Sequence, residues 1–312
     1  MEPYLSIVLP VYNEKGTLEA LAKEIASVMA QGSKSYECIF VDDGSTDGSA
    51  EILKRLKNQI PQVHVITFRK NFGQTAALSA GFDYARGQVI VTLDADLQND
   101  PKDIPLLLKK LDEGYDLVSG WRKERQDGWV RNVPSHLANR LISWVTGVKL
   151  HDSGCTLKAY RREVVKELRL YGEMHRFIPA LASWNGISLV EVPVKHHPRK
   201  SGKSKYGLSR TFRVFLDLIT VKFLLSYSAS PIQMFGKMGL VASLTGILFF
   251  IIAVVLKLTQ LRTLTGNPLF YFFIFLEIIA VQFVLIGLLG EINLRTYHES
   301  QKKKTYAIKE KP

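Results

Sequence analysis

Over its first hundred residues the chain alternates short unbroken apolar runs with longer stretches whose apolar positions recur every three or four residues. The runs are "LSIVLPV" at 5–11, then "YECIFV", "VHVITF" and "VIVTL". Each is too short for a helix and rich in branched side chains, as buried strands are. The stretches between them predict amphipathic helices over about Thr17–Ala30, Ser49–Asn58 and Gln74–Tyr84. Strands alternating with helices at this spacing give an α/β fold with a mostly parallel sheet covered on both faces. Every one of these strands then ends in a polar loop: "YNE", "DDGSTDGS", "RKNFG" and "DADLQ". In a parallel sheet all four loops fall on the carboxyl edge, where open α/β sheets place their ligand crevice.

The pattern changes towards the end. Met238 to Leu256 is a run of 19 residues without a charge, and Leu269 to Gly290 is a second apolar run interrupted only by Glu277. Each approaches the roughly 20 apolar residues that cross a bilayer, so two membrane spans are expected. The connection between them carries Lys257 and Arg262, whereas six cations follow Glu291. The bias of basic residues puts both termini in the cytoplasm and the short loop outside. Glu277 is expected at a helix–helix or subunit contact rather than on a transport path, because two helices offer little room for one. Just upstream, "GLSRTFRVFLDLITVKFLLSYS" mixes Arg210, Arg213 and Lys222 with bulky apolar residues, as a helix lying in the membrane interface does. The expected organisation is a catalytic domain over 1–206, interfacial helices over 207–233, a transmembrane hairpin over 234–290 and a basic tail over 291–312.

Composition sharpens this in two ways. The chain has 312 residues and a formal charge of +12, which points to an anionic partner. Its most basic loop, "PRKSGKSKYG", interleaves a single aromatic, Tyr206, so nucleic acid is a poor candidate. Two cysteines, Cys38 and Cys155, make no disulfide framework and fit a reducing compartment. The opening residues lack a basic stretch followed by a long apolar run, so no signal peptide is expected. A multi-pass protein of the inner membrane follows, with its bulk in the cytoplasm and a hairpin suited to pairing with copies of itself as a homo-oligomer.

The loop residues suit the parts of a sugar nucleotide. Carboxylates such as Glu14 and Asp43 can accept hydrogen bonds from a base or ribose. Gly73 opens a helix whose amides, with Arg69 nearby, favour negative charge. Asp94, Asp96 and Gln98 offer hard oxygen ligands of the kind Mg2+ or Mn2+ shares with a diphosphate. No G-x-G-x-x-G follows the first strand and no G-x-x-x-x-G-K-[ST] occurs, which disfavours dinucleotide and P-loop binding.

Taken in order, "VLPVYNE", "VDDGSTDGS", "RKNFGQTAALSAG" and "LDADLQNDP" resemble the successive motifs of glycosyltransferase family 2, which has the Rossmann-like GT-A fold. "SGWRKER", "HDSGCTLKAYRREV", "PRKSGKSKYG" and "GLLGEINLRTYHE" narrow the resemblance to the polyprenyl-phosphate glycosyltransferases, which include dolichol-phosphate mannosyltransferase and bacterial undecaprenyl-phosphate sugar transferases. It implies an inverting, metal-dependent transfer of a sugar from a nucleoside-diphosphate sugar, UDP- or GDP-linked, to a polyprenyl phosphate. Pro10, Tyr12, Glu14, Asp42 and Asp43 match nucleotide-binding positions. Asp94, Ala95, Asp96 and Gln98 match the metal and diphosphate site. Arg122 and Arg131 match residues that meet the acceptor phosphate, and Lys203, Ser204 and Lys205 fall in the loop closing over both phosphates. Catalysis would then rest on Asp94, Asp96 and Arg122, with Asp96 also aligning the nucleophile. Asp152 would order the acceptor loop or cap a helix. One departure stands out: "CTLK" at 155–158 replaces the Ser-Gly-Phe-Arg usual in the mannosyltransferases. That bacterial form argues against mannose and favours UDP. The competing readings are an inactive scaffold or flippase partner, and a transferase with another lipid or glycan acceptor.

Overall fold

The computed structural model describes residues 2–123, 142, 143, 146–166, 168, 170, 174–184, 186–198, 230–259 and 263–300. They divide into two compact units, 1–221 and 222–312.

The first unit is built on a seven-stranded sheet. Strands β1 (Leu5–Val11), β2 (Tyr36–Asp42), β3 (Val63–Thr67) and β4 (Val89–Thr92) alternate with helices α1 (Leu18–Ala30), α2 (Ser49–Gln59) and α3 (Gln74–Tyr84). α3 has the bounds expected from the sequence, and the other two differ from expectation by one residue at one end. After α4 (Ile104–Asp112) come β5 (Leu117–Trp121), β6 (Lys158–Arg161), α5 (Arg162–Lys166), α6 (Ile178–Trp184) and β7 (Leu189–Pro193). The order across the sheet is β3-β2-β1-β4-β6-β5-β7. All neighbours are parallel except β6, which runs against both β4 and β5.

Alternation along the strands divides the core into two layers. Ile7, Leu9, Phe40 and Val91 pack on one face with Leu21 and Ile25 of α1 and Leu107 of α4. Val8, Ile39, Val41 and Ile90 pack on the other with Leu78 of α3 and Ile178 of α6. Each such fully buried Leu or Ile contributes about 2 kcal/mol. β1 lies between β2 and β4, so successive crossovers leave it in opposite directions. That divergence is the switch point at which an open sheet leaves a crevice beyond its carboxyl ends.

The opposite, amino edge holds a buried charge. Glu37 of β2 is 3% exposed. Ser6 Oγ donates to its Oε1 at 2.6 Å, as does the Arg86 amide at 2.9 Å. The Arg86 guanidinium donates to its Oε2 from Nε at 3.1 Å and Nη2 at 2.8 Å. Burial pushes the Glu37 carboxyl up, but the bonds from Ser6 and Arg86 outweigh it and hold the group below the usual range.

The second unit is a hairpin of α7 (Pro231–Leu258) and α8 (Pro268–Ser300). The 28 residues of α7 have mean hydropathy 2.7, and the Pro268–Asn293 part of α8 has 2.6. Both are long and apolar enough to cross a membrane. Leu240, Leu244, Phe275 and Leu289 are all more than half exposed, unlike the side chains of a soluble core helix. The helices meet where Gly239 faces the Ala280 carbonyl, which an added Cβ would approach to 2.9 Å. Glu277 points into this contact, where Ser243 Oγ lies 3.1 Å from both carboxyl oxygens. It is a hydrogen-bonded group at the helix–helix contact.

Glu37→Ala leaves Ser6 and the 86–87 turn without their shared acceptor, and should destabilise the sheet-containing unit by about 3 kcal/mol in denaturant unfolding. Because its folded carboxyl titrates below the unfolded one, Glu37 stabilises above the unfolded value near 4.5. That contribution disappears as the pH falls through the folded value, so wild type and variant should converge in acid.

Candidate active site

The four polar loops do meet, and hydrogen bonds between them fix their relative positions. Asn13 adopts φ 56°, a left-handed conformation that Asn tolerates. There its Oδ1 accepts from the Thr46 amide at 2.8 Å and its own amide donates to Ser45 Oγ at 3.0 Å. The Glu14 amide donates to Ser49 Oγ at 3.1 Å. These bonds join the β1 and β2 loops. The β1 loop is tied to the acidic loop after β4 by Thr17 Oγ1, which donates to the Ala95 carbonyl at 2.6 Å. The β2 loop approaches the β3 loop so closely that a Cβ on Gly44 would lie 2.6 Å from the Lys70 carbonyl carbon.

Asp42 and Asp43 are both buried, at 1% and 3% exposure. Asp42 Oδ1 accepts from the Ser45 amide at 3.0 Å. Asp43 receives the Phe72 amide at 2.6 Å and the Gly73 amide at 2.9 Å. The amide that the sequence offered to a ligand phosphate is therefore engaged by a carboxylate of the chain itself. Negative charge does sit at the amino end of α3, as the amides there favour. Tyr12 is half-buried in the β1 loop, and Arg69 is exposed.

Asp94 and Asp96 occupy the loop beyond β4. Asp94 Oδ1 accepts from Gln74 Nε2 at 2.8 Å. Asp96 Oδ1 accepts from the Gln98 amide at 3.1 Å, closing a tight turn in which Leu97 has φ 59°. A buried leucine in that region is strained, and such strain is found where a loop must present particular groups. Gln98 is half-buried in the same loop, and its carbonyl accepts from the His197 amide at 2.8 Å. Burial, and next the charge of Asp96, push the Asp94 carboxyl up to about 6, against the Thr156 hydroxyl and the charges of Arg122 and Lys158. Two hard-oxygen groups whose charges oppose one another form a donor set that a divalent cation suits. Among the described residues no three His, Cys, Asp or Glu side chains cluster as a complete metal site, so Asp94 and Asp96 supply part of one.

Arg122, just past β5, forms a two-point pair with Asp152: Nε to Oδ2 is 2.7 Å and Nη2 to Oδ1 is 2.9 Å. Burial pushes the Asp152 carboxyl up, but Arg122 more than compensates and holds it below the ordinary range. Asp152 thus anchors Arg122. Its own amide donates to Glu191 Oε1 at 3.1 Å, which ties the pair to β7. Arg131, Lys203, Ser204 and Lys205 lie outside the described residues.

A small pocket opens beside Asp94 and is lined by Pro10, Gln74, Ser153, Lys158, His175 and Arg176 among others. Pro10 and Asp94 aside, none of these was singled out as a site residue from the sequence. Lys158 is 3% exposed, and its Nζ donates to the Ser153 carbonyl at 3.4 Å and, closer, to the Cys155 carbonyl. Burial lowers its pKa while nearby Asp152 and Asp94 resist. His175 Nδ1 lies 2.8 Å from Thr75 Oγ1, linking this wall to α3. The available signal was a cation, Lys158, within a short strand-like run. Its meaning depended on β6 lying antiparallel beside β4, with Lys158 opposite Thr92.

Comparison with known proteins agrees with this geometry. Residues 6–169 match the model of Glycosyl transferase family 2. The chain is 41% identical to a dodecaprenyl-phosphate galacturonate synthase of Rhizobium johnstonii, covering 98% of this chain and 92% of that one. It is 38% identical to an undecaprenyl-phosphate 4-deoxy-4-formamido-L-arabinose transferase of Edwardsiella ictaluri, covering 98% and 93%. Among solved structures, glucosyl-3-phosphoglycerate synthase from Mycobacterium tuberculosis in complex with UDP superposes with a TM-score of 0.55 at 22% identity, over 72% of this chain and 80% of that one. The same enzyme with Mn2+, UDP and phosphoglyceric acid gives 0.54 at 19%, over 72% and 78%. These structural likenesses establish a shared fold.

In metal-free protein the Asp94 carboxyl should titrate near pH 6 in a carbon-13 NMR series, and Asp96→Asn should move that midpoint down. The folded state holds this proton more tightly than the unfolded chain. Asp94 therefore stabilises the metal-free domain below about pH 4, and the contribution is lost as the pH rises through 6. A midpoint near 3.8 would contradict the geometry.

Proposed function

The chain belongs to glycosyl transferase family 2, and from that premise we propose that it transfers a sugar from a nucleoside diphosphate, UDP in preference to GDP, to a polyprenyl phosphate at a membrane. It is a glycosyltransferase. The observation that carries the finer reading is the convergence of Asp43, Asp94 and Asp96 on the crevice beyond β1 and β4, in a chain that also bears two helices able to cross a bilayer. The names of its relatives, 38% and 41% identical over nearly their whole length, support the lipid acceptor.

Asp94, Asp96 and the Gln98 side chain are the groups to hold a divalent cation, Mg2+ or Mn2+. When bound, that ion supplies Lewis-acid stabilisation of the charge developing on the leaving diphosphate. Asp42, Asp43, Glu14 and Tyr12 border the space for base and ribose, with Pro10 on the pocket side and Arg69 and Gly73 beside it. Ala95 fixes the acidic loop through its bond from Thr17.

The acceptor phosphate has a second pKa near 6 and is largely a dianion at neutral pH. It therefore needs positioning more than deprotonation, which accounts for a site built from fixed cations. Arg122 presents a guanidinium whose orientation Asp152 sets, and the resemblance assigns Arg131, Lys203, Ser204 and Lys205, outside the described residues, to the same phosphates. Asp96 aligns the attacking phosphate oxygen. Attack opposite the leaving diphosphate inverts the anomeric centre. We further read the protein as a multi-pass inner-membrane enzyme with its catalytic unit and both termini in the cytoplasm and the hairpin supporting a homo-oligomer; of the interfacial stretch expected over 207–233, residues 207–229 lie outside the described residues.

Purified protein given UDP-sugars and undecaprenyl phosphate should yield an organic-extractable sugar lipid, and chelation of divalent ions should abolish it. Asp96→Asn should lower kcat at least about a hundredfold. Unaltered turnover in that variant would remove Asp96 from the mechanism.

A further inference from the structure

One face of the sheet carries a row of polar side chains where a core layer is otherwise apolar. Thr92, Lys158, Ser119 and Glu191 stand opposite one another on β4, β6, β5 and β7, and residues in register on adjacent strands share a face. Thr92, Lys158 and Glu191 all grip one segment, 151–156. Thr92 Oγ1 donates to the Thr156 carbonyl at 2.6 Å. Lys158 Nζ donates to the Ser153 and Cys155 carbonyls. Glu191 takes the other end. Its Oε1 accepts from the His151 and Asp152 amides at 3.0 and 3.1 Å, and its Oε2 lies 2.9 Å from His151 Nδ1.

A carboxylate that accepts from two consecutive amides fixes the chain at that point, because charge-assisted bonds are short and strong. The His151 ring is also held from a second side. It stacks on the Trp121 indole, with centroids 4.4 Å apart and planes at 20°, and Trp121 immediately precedes Arg122. Asp152, between these fixed points, accepts from the Arg122 amide at 3.3 Å as well as from its guanidinium. The guanidinium lies against Gly154, where an added Cβ would come to 3.3 Å from Nη2. The 151–154 turn therefore sets the direction of the Arg122 side chain, and Glu191 sets the place of the turn.

We propose that Glu191 is a positioning residue for the acceptor: acting through the His151–Asp152 turn, it aims Arg122 at the lipid phosphate without touching either substrate. This rests on the transferase reading above and adds to it how the acceptor side is set. A guanidinium recognises phosphate through a planar, two-point geometry, and a displacement of about 1 Å in such a group can cost about a hundredfold. The donor side has other supports. Asp43, Asp94 and Asp96 are held by the amides of Phe72, Gly73 and Gln98 and by the Gln74 side chain. Thr156, at the far end of the segment, keeps its own bonds to Thr92 and Asn99. Loss of Glu191 thus acts on the acceptor and spares the donor.

The test is steady-state kinetics of full-length protein in detergent, with undecaprenyl phosphate and the UDP-sugar that wild type turns over, and calorimetric binding of UDP as a check on folding. Glu191→Ala should raise KM for undecaprenyl phosphate at least about tenfold, while KM for the UDP-sugar and Kd for UDP stay within about twofold. Glu191→Gln keeps an oxygen for both backbone amides and should stay within about threefold of wild type. His151→Ala loses the stack and the ring's bond but not the amides, and should raise the acceptor KM about three- to fivefold. Glu37→Ala, weakened at the opposite edge of the sheet, should leave the acceptor KM unchanged, which separates aim from a general loss of stability. An unchanged acceptor KM in Glu191→Ala, an equal rise in both KM values, or a Glu191→Gln variant as impaired as Glu191→Ala overturns the proposal and leaves the transferase intact. If Glu191→Ala does not bind UDP, an unchanged acceptor KM in His151→Ala overturns it instead. No lipid product from wild type with any UDP-sugar overturns the transferase reading and this assignment with it.

Discussion

Two carboxylates one residue apart at the tip of a buried strand repel each other where water screens poorly, and this conflict organises the catalytic unit. Asp94 meets it in the metal-free protein by holding its proton up to about pH 6. The surrounding structure keeps the two groups from separating. Thr17 fastens the loop to α1, Gln74 bonds Asp94 from α3, and the strained turn at Leu97 holds Asp96 against the Gln98 amide. A loop fastened in this way holds the two carboxylates in fixed positions beyond β4.

The sheet determines where that site can be. Because β1 sits between β2 and β4, the chain leaves the centre in both directions and the loops beyond β1 and β4 cannot cover one another. Antiparallel β6 then closes the far side with Lys158 and the segment leading back to Asp152. Burial here is not uniform in purpose. At the amino edge Glu37 is fully bonded and serves stability, whereas at the carboxyl edge Asp94 and Lys158 carry shifted pKa values in opposite directions. Fully satisfied groups at one end and unsettled groups at the other are what separate scaffold from working surface.

Much of this was legible in the pattern of residues. The bounds of α3, the four parallel strands and the common edge of their loops all follow from periodicity and from the polar residues that end each strand. Local rules were enough because each of those signals lies within about fifteen residues of chain. What escaped depends on distant contacts. Arg122 meets Asp152 across 30 residues of sequence, and His175 meets Thr75 across 100. The Gly73 amide looked open to a ligand, since nothing local showed that Asp43 would occupy it. Lys158 could be assigned to a pocket only once β6 was seen to pair antiparallel with β4. Glu277 was expected at a helix–helix or subunit contact, but its partner Ser243, 34 residues away, was not legible locally.

The central claim is that Asp94 and Asp96 hold a divalent ion which the donor diphosphate then shares. Anomalous diffraction at the manganese edge, from crystals grown with Mn2+ and UDP, tests it most directly. The account predicts a single strong peak within coordinating distance of both carboxylates and of the diphosphate oxygens. A peak elsewhere on the protein, or UDP bound in the crevice with no metal beside these two residues, would contradict it.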